Sequence, residues 1–173
     1  MEAFLKSIER KAYYLALFAC SNPEDALDLV QDAMCNFVAK YEKKPIEEWK
    51  ALFYRILQNK IRDYYRKESV RSRWRIWLGA HSENEDVDPL EQYAAPDGRN
   101  PEQETASRQA FTQLQCELKT LSVKQQQVFL LRAWEGLSVS ETATAMGCSE
   151  GTVKTHYFRA TEQLRNRLGD YWP

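Results

Sequence analysis

Between Ser138 and Glu150 the chain carries the punctuation of two helices that must meet at a tight turn. Ser138, with Glu141 three positions on, forms a capping box, which starts a helix by satisfying its free N–H groups. Gly147 can take the left-handed conformation that closes that helix. Ser149 can cap the next, over about 150–168. One continuous rod is therefore ruled out, and GLSVSETATAMGCSEGTVKTHYFR (136–159) predicts a helix-turn-helix. Ser122, before VKQQQVFLLRAW, marks a further helix start in the same region.

Placing 150–168 on a helical wheel sorts its faces. Val153, Tyr157, Ala160, Leu164 and Leu168 form an inner side; Thr152, Thr155, Arg159 and Glu162 lie opposite, with His156 on the flank. The polar cluster occupies the N-terminal half of the second helix, the part that a DNA-reading helix presents to base edges. Arginine can pair bidentately with guanine, and threonine can donate, accept or touch a thymine methyl. A helix N-terminus also offers N–H groups to phosphate. Ser149, Thr152, Lys154, Thr155, His156 and Arg159 are the candidate DNA contacts here.

Elsewhere apolar residues recur at three and four rather than at two, so the expected fold class is all-α. Residues 79–100, GAHSENEDVDPLEQYAAPDGRN, break the pattern with prolines, glycines and few large apolar groups, a linker composition. Asn100-Pro101-Glu102 then reads as a fresh helix start. The expected layout is a helical domain at 1–78, a flexible acidic linker at 79–100 and a helix-turn-helix domain at 101–173. As a flexible coil such a linker spans about 25 Å. The overall charge of −1 conceals segregation: +4 over residues 1–79, −7 over 80–107 and +2 over 108–173.

Four scattered cysteines without a C-x-x-C pair, and only two histidines, argue against a zinc site and for buried free thiols. No apolar run approaches the roughly 20 residues of a membrane span. The N-terminus mixes charges with apolar residues and lacks a signal-peptide pattern, so a cytoplasmic location is expected. Paired catalytic acids, a phosphate-binding glycine loop and a nucleophile–base pair are not found in the sequence, which reads as neither an enzyme nor a cofactor or small-molecule binder.

Asn22-Pro23-Glu24-Asp25 opens a helix, PEDALDLVQDAMCNFVAKY. Its wheel puts Leu27, Val30, Met34, Phe37, Val38 and Tyr41 inside, and Asp25, Asp28 and Asp32 outside, with Gln31 at the margin and Leu29 beside the acids. An apolar residue ringed by carboxylates suggests a docking face for a basic partner. In the following helix, EEWKALFYRILQNKIRDYYRK, the wheel buries Trp49, Leu52, Phe53, Ile56 and Tyr64 and exposes Arg55, Arg62 and Arg66 near Asn59. Residues 60–77 interleave seven basic groups with Tyr64, Tyr65, Trp74 and Trp77. Cations that follow a backbone and rings that stack on bases suit an opened nucleic-acid strand. Lys43 and Lys44, in the preceding loop, are further phosphate candidates.

LSVKQQQVFLLRAWEGLSVSETATAMGCSEGTVKTHYFRATEQLRNRL resembles the C-terminal domain of extracytoplasmic-function sigma factors, small promoter-recognition subunits of bacterial RNA polymerase. Gln126, Leu130, Arg132, Glu135-Gly136-Leu137-Ser138, Glu141, Ala143, Gly147, Gly151-Thr152-Val153-Lys154, Arg159-Ala160 and Leu164 carry the likeness. His156 stands where that family usually has arginine, and Ser122 replaces a proline. DALDLVQDA is similar to the family's "DAEDLvQea" segment, and LFYRILQNKIRDYYR to its "WLyRIa.N...d..R" segment.

The resemblance implies that the helix-turn-helix reads the −35 promoter element. It also implies that Lys43, Lys44, Arg55, Asn59, Arg62 and Arg66 recognise and melt the −10 element. Asp25, Asp28, Leu29, Gln31 and Asp32 would dock on core RNA polymerase, at the β′ clamp helices, with the β subunit as a further contact. Promoter DNA and an anti-sigma protein are the other partners it points to, and the linker would thread the polymerase cleft. The helix-turn-helix also resembles response-regulator output domains, so a free-standing activator or repressor is the alternative. The acidic docking segment in the N-terminal half separates the two, because such a regulator has no use for it.

Overall fold

The computed structural model describes residues 1–77 and 113–169, with side chains placed for 1–68 and 113–169. The expected linker at 79–100, the Asn100-Pro101 helix start and the side chains of the 70–75 basic run lie outside the described residues. Among the described residues there are helices and no strands. Helix α1 spans Glu2–Cys20, α2 Pro23–Tyr41 and α3 Ile46–Trp77; α4 is described over 113–120; α5 spans Val123–Phe129, α6 Val139–Met146 and α7 Glu150–Leu168.

The sequence punctuation sets these boundaries. Asn22 accepts from the N–H groups of Glu24 and Asp25, with Pro23 at the first position of α2. Ser122–Gln125 and Ser138–Glu141 both close as complete capping boxes. Gly147 ends α6 at φ 65°, and Ser149 caps α7. The stretch after Ser122 is not uniform. After α5 the chain widens into a π turn over Leu130–Trp134, where the N–H of Glu135 donates to the carbonyl of Leu130 at 3.0 Å.

Helices α1, α2 and α3 pack together around an aromatic cluster. Phe4 lies 5.6 Å from Phe37 and 5.5 Å from Trp49 between ring centroids, and Phe37 lies 5.9 Å from Phe53. The second half adds Leu118, Leu130, Leu131, Leu137, Ala160 and Leu164, and the two halves share one contiguous core. Helix α6 lies against α3, and α5 touches α1.

The inner side of α7 is as the wheel predicts: Val153, Ala160, Leu164 and Leu168 are buried and Tyr157 is half-buried. The wheel for α2 is rotated from the truth. Its buried stripe is Ala26, Val30, Ala33 and Phe37, whereas Leu27 and Val38 are 48% and 40% exposed. Leu29 is not stranded among acids; it is half-buried against the core. The two alanines explain the error: a wheel weighted by side-chain size undervalues the small residues that let α1 and α3 come close.

For α3 the expected inner residues Trp49, Leu52, Ile56 and Tyr64 are only half-buried, while Phe53 is buried as expected. Tyr54, Leu57, Gln58 and Ile61 are also buried, because α3 is covered on a second flank by the C-terminal half. The thiols also depart from expectation: all four are free, but Cys35 and Cys116 are exposed and Cys20 and Cys148 half-buried.

Phe37 touches Phe4, Trp49 and Phe53 at zero exposure. Phe37→Ala is therefore expected to cost about 3–5 kcal/mol of stability, measured as a lower denaturant midpoint at unchanged slope.

Candidate nucleic-acid interface

The helix-turn-helix is held by a small apolar cluster. Val128 of α5, Ala143 of α6 and Val153 of α7 meet, with Met146 and Tyr157 packed around them. Arg132 lies 5.6 Å over the Tyr157 ring and donates to the Leu137 carbonyl, joining the π turn to α7 and to the segment that leads into α6. This scaffold leaves Ser149, Thr152, Lys154, Thr155 and Arg159 exposed together at the start of α7.

Their hydrogen bonds narrow what they can do. The Thr155 hydroxyl donates to the Gly151 carbonyl at 3.0 Å, so it offers outward only acceptor lone pairs and a methyl. The Ser149 and Thr152 hydroxyls are bonded to each other at 2.9 Å. Lys154 and Arg159 are exposed cations beside them.

His156 is half-buried on the flank, and its Nδ1 is buried without a hydrogen-bond partner. Burial lowers its pKa below the ordinary histidine value, and the positive charges of Lys124 and Arg159 lower it further. Both effects favour the uncharged ring. It is a poorer source of positive charge than an arginine at this position would be.

On the first half, Arg55, Asn59, Arg62 and Arg66 are all exposed along one face of α3. Asn59 accepts a hydrogen bond from Arg62, and Arg66 pairs with Asp63 at 3.7 Å. Both contacts are exposed and easily exchanged for phosphate. The loop before α3 is pinned by the Trp49 indole, which donates to the Lys44 carbonyl at 2.7 Å. Lys43 and Lys44 are exposed there, with Lys44 3.7 Å from Glu48.

The predicted docking residues of α2 divide. Asp28 and Gln31 are exposed. Asp25 accepts from the Tyr64 hydroxyl at 3.1 Å, and exposed Asp32 pairs with Lys60 at 2.9 Å. Leu29 instead lines an open groove of about 870 Å³ between α2 and α3, with Asp32, Lys60 and Tyr64. The apolar side chain that the structure sets out beside Asp28 and Gln31 is Leu27, which sequence reasoning missed. The signal was present in the spacing of Ala26 and Ala33, which mark the inner stripe.

Family models match both halves in this order: "Sigma-70 region 2" over residues 2–71 and "Sigma-70, region 4" over 111–164. An RNA polymerase sigma-E factor of Streptomyces antibioticus is 33% identical over 148 residues, covering 85% of this chain and 72% of the relative. Its counterpart in Streptomyces coelicolor is 30% identical over 148 residues, covering 85% and 73%. The chain belongs to the extracytoplasmic-function sigma factors of the sigma-70 family.

An ECF RNA polymerase sigma factor of Mycolicibacterium smegmatis is 30% identical over 164 residues, covering 93% of this sigma factor and 58% of that protein. The fold is shared with the sigma factor RpoE of Bartonella quintana, solved with the anti-sigma factor NepR. The two align at a TM-score of 0.64 and 24% identity over 97% of this chain and 98% of that one. No helix among the described residues of this sigma factor is long and apolar enough to cross a membrane.

The capping box that starts α6 makes a pH prediction. Hydrogen bonds from the Ser138 hydroxyl and N–H hold the Glu141 carboxyl below its ordinary pKa. A depressed folded pKa contributes stability that is present above the unfolded value, near 4.3, and lost as pH falls through the folded one. Ser138→Ala should cost about 1 kcal/mol at neutral pH and bring the Glu141 titration, followed by NMR, back towards the usual carboxylate range.

Proposed function

We propose that this sigma factor directs core RNA polymerase to promoters by dividing its surface into three parts. The observation that carries the reading is the joint exposure of three chemically distinct faces: the start of α7, the Arg55–Arg66 face of α3, and the acidic margin of α2. The first would read the −35 element, with Ser149, Thr152, Thr155 and Arg159 on bases and phosphates and Lys154 as a phosphate contact. The second, with Lys43 and Lys44, would engage and open the −10 element. The third would seat on the polymerase β′ clamp helices through Asp25, Asp28, Gln31 and Asp32.

The apolar anchor of the third face is Leu27 rather than Leu29, since an interface needs an exposed apolar centre within a polar rim. The layout of a domain at 1–78, a linker at 79–100 and a domain at 101–173 fits this division of labour. So does a non-catalytic regulator acting in the cytoplasm, where polymerase works. A partner of the anti-sigma type is consistent with the complex in which the Bartonella quintana protein was solved.

Leu27→Asp and Asp28→Arg should each weaken co-elution with core polymerase by at least about tenfold without changing helicity. Unchanged co-elution of both variants would remove α2 from the docking surface. On DNA, Arg159→Ala should lower affinity for promoter fragments and reduce the slope of log K against log salt by about one. His156→Arg should act in the opposite sense, raising affinity and steepening that slope by a similar amount. Fluorescence anisotropy across a salt series reads both.

A further inference from the structure

Helix α3 outruns the core that supports it. Among its described side chains Ile61 is the last buried one, and residues 62–68 are all exposed or half-buried. Arg62 and Arg66, two cations of the open strip, both lie on this overhang. A stretch with few buried apolar contacts opens easily, and cations on an opening helix end hold no fixed spacing. Something else must steady them.

Two adjacent hydroxyls tie the overhang back. Tyr64 donates to the Asp25 carboxylate at 3.1 Å, and Tyr65 donates to the Ala19 carbonyl. Their rings meet edge-on at 6.0 Å, and Tyr65 packs against the core. Both anchors flank the elbow between α1 and α2, which is itself fixed. Ser21 takes the left-handed conformation there at φ 55° and donates from its N–H to the Leu17 carbonyl at 2.8 Å. The Cys20 thiol donates to the Asn22 carbonyl at 3.2 Å. Burial, and then the bonded Asp25 carboxylate, push the Tyr64 hydroxyl pKa up, so it remains a donor.

These bonds take the two tyrosines away from the base stacking that their place among cations suggests, since a ring tethered by its hydroxyl is not free to swing onto an unpaired base. We propose that Tyr64 and Tyr65 are positioning residues, which hold Arg62 and Arg66 ready for an opened DNA strand, and that Asp25 is the carboxylate on which this brace depends. Holding binding groups in place beforehand removes an ordering cost from association. Asp25 is half-buried, whereas Asp28 and Asp32 are exposed; it therefore faces α3 as well as the margin of the docking surface. The role on DNA rests on the −10 reading of α3 above; the brace itself does not.

The sign of one substitution separates positioning from charge. Asp25→Ala removes a negative charge beside a cationic strip, so electrostatics alone predicts tighter binding to DNA. Loss of the brace predicts the reverse. The full chain is titrated against a fluorescein-labelled single-stranded DNA oligonucleotide of mixed sequence, read by anisotropy. Affinity should fall about threefold or more for Asp25→Ala, and likewise for Tyr64→Phe with Tyr65→Phe. Glu24→Ala removes an exposed acid from the same turn of α2 and should leave affinity equal or slightly higher. With Arg62→Ala and Arg66→Ala already in place, the tyrosine pair should have no further effect. Hydrogen exchange reads the brace without DNA: amides of residues 62–68 should lose about tenfold in protection in the tyrosine pair, while those of residues 53–61 keep theirs.

Where the arginine pair matters to binding, unchanged or tighter binding by Asp25→Ala overturns the positioning role. So does an additive loss from the tyrosine pair in the arginine-free background, which would put the tyrosines on the DNA themselves. Unchanged exchange in the tyrosine pair overturns the brace. If the starting protein does not bind the oligonucleotide, or binds equally well without both arginines, the −10 reading of α3 fails, and exchange over residues 62–68 judges the brace by itself.

Discussion

The structure turns on the demands made of a single helix. Helix α3 packs α1 and α2 on one flank and α6 on another, and it still keeps a third, cationic strip in solvent. A helix has room for this only if its faces are cleanly separated. Phe53 serves the aromatic cluster, Lys50, Tyr54 and Gln58 face the second half, and Arg55, Asn59, Arg62 and Arg66 form the open strip. The consequence is a core continuous through both halves, while the surfaces suited to nucleic acid remain uncovered.

Much of the fold was legible because helix ends are local chemistry. Asn22, Ser122, Ser138, Gly147 and Ser149 act within a turn of themselves, and each does in the structure what its type and spacing dictate. The inner face of α7 was legible too, since Val153, Ala160, Leu164 and Leu168 recur at helical spacing, although Phe158 stands exposed on another side. Where the reading slipped, the cause was tertiary. Ala26 and Ala33 set the rotation of α2 by being small, and Leu27 was therefore assigned inward and Leu29 outward, the reverse of what the packing produces. The burial of Tyr54 and Gln58 depends on partners about 70–80 positions away, which no local period can announce.

Of the candidate site, residue types were readable but their hydrogen-bonding states were not. Thr155 turns its hydroxyl proton onto its own helix and keeps its methyl and lone pairs outward. His156 is biased towards its uncharged form by burial and two neighbouring cations, one of which, Lys124, is distant in sequence. Both shift the proposed −35 face away from charge and towards shape and methyl contact, leaving Lys154 and Arg159 as its exposed cations. Phosphate attraction of the kind that dominates affinity would then come more heavily from α3 and its preceding loop.

As a sigma factor, this chain should give core polymerase its choice of promoter. Transcription in vitro with purified core polymerase on a fragmented genomic library, with transcript starts read by sequencing, tests it most directly. Initiation is expected at a discrete set of sites only when the chain is present, each preceded by two shared sequence elements centred near −10 and −35. Starts that are the same with and without the chain, or that share no upstream elements, would contradict it.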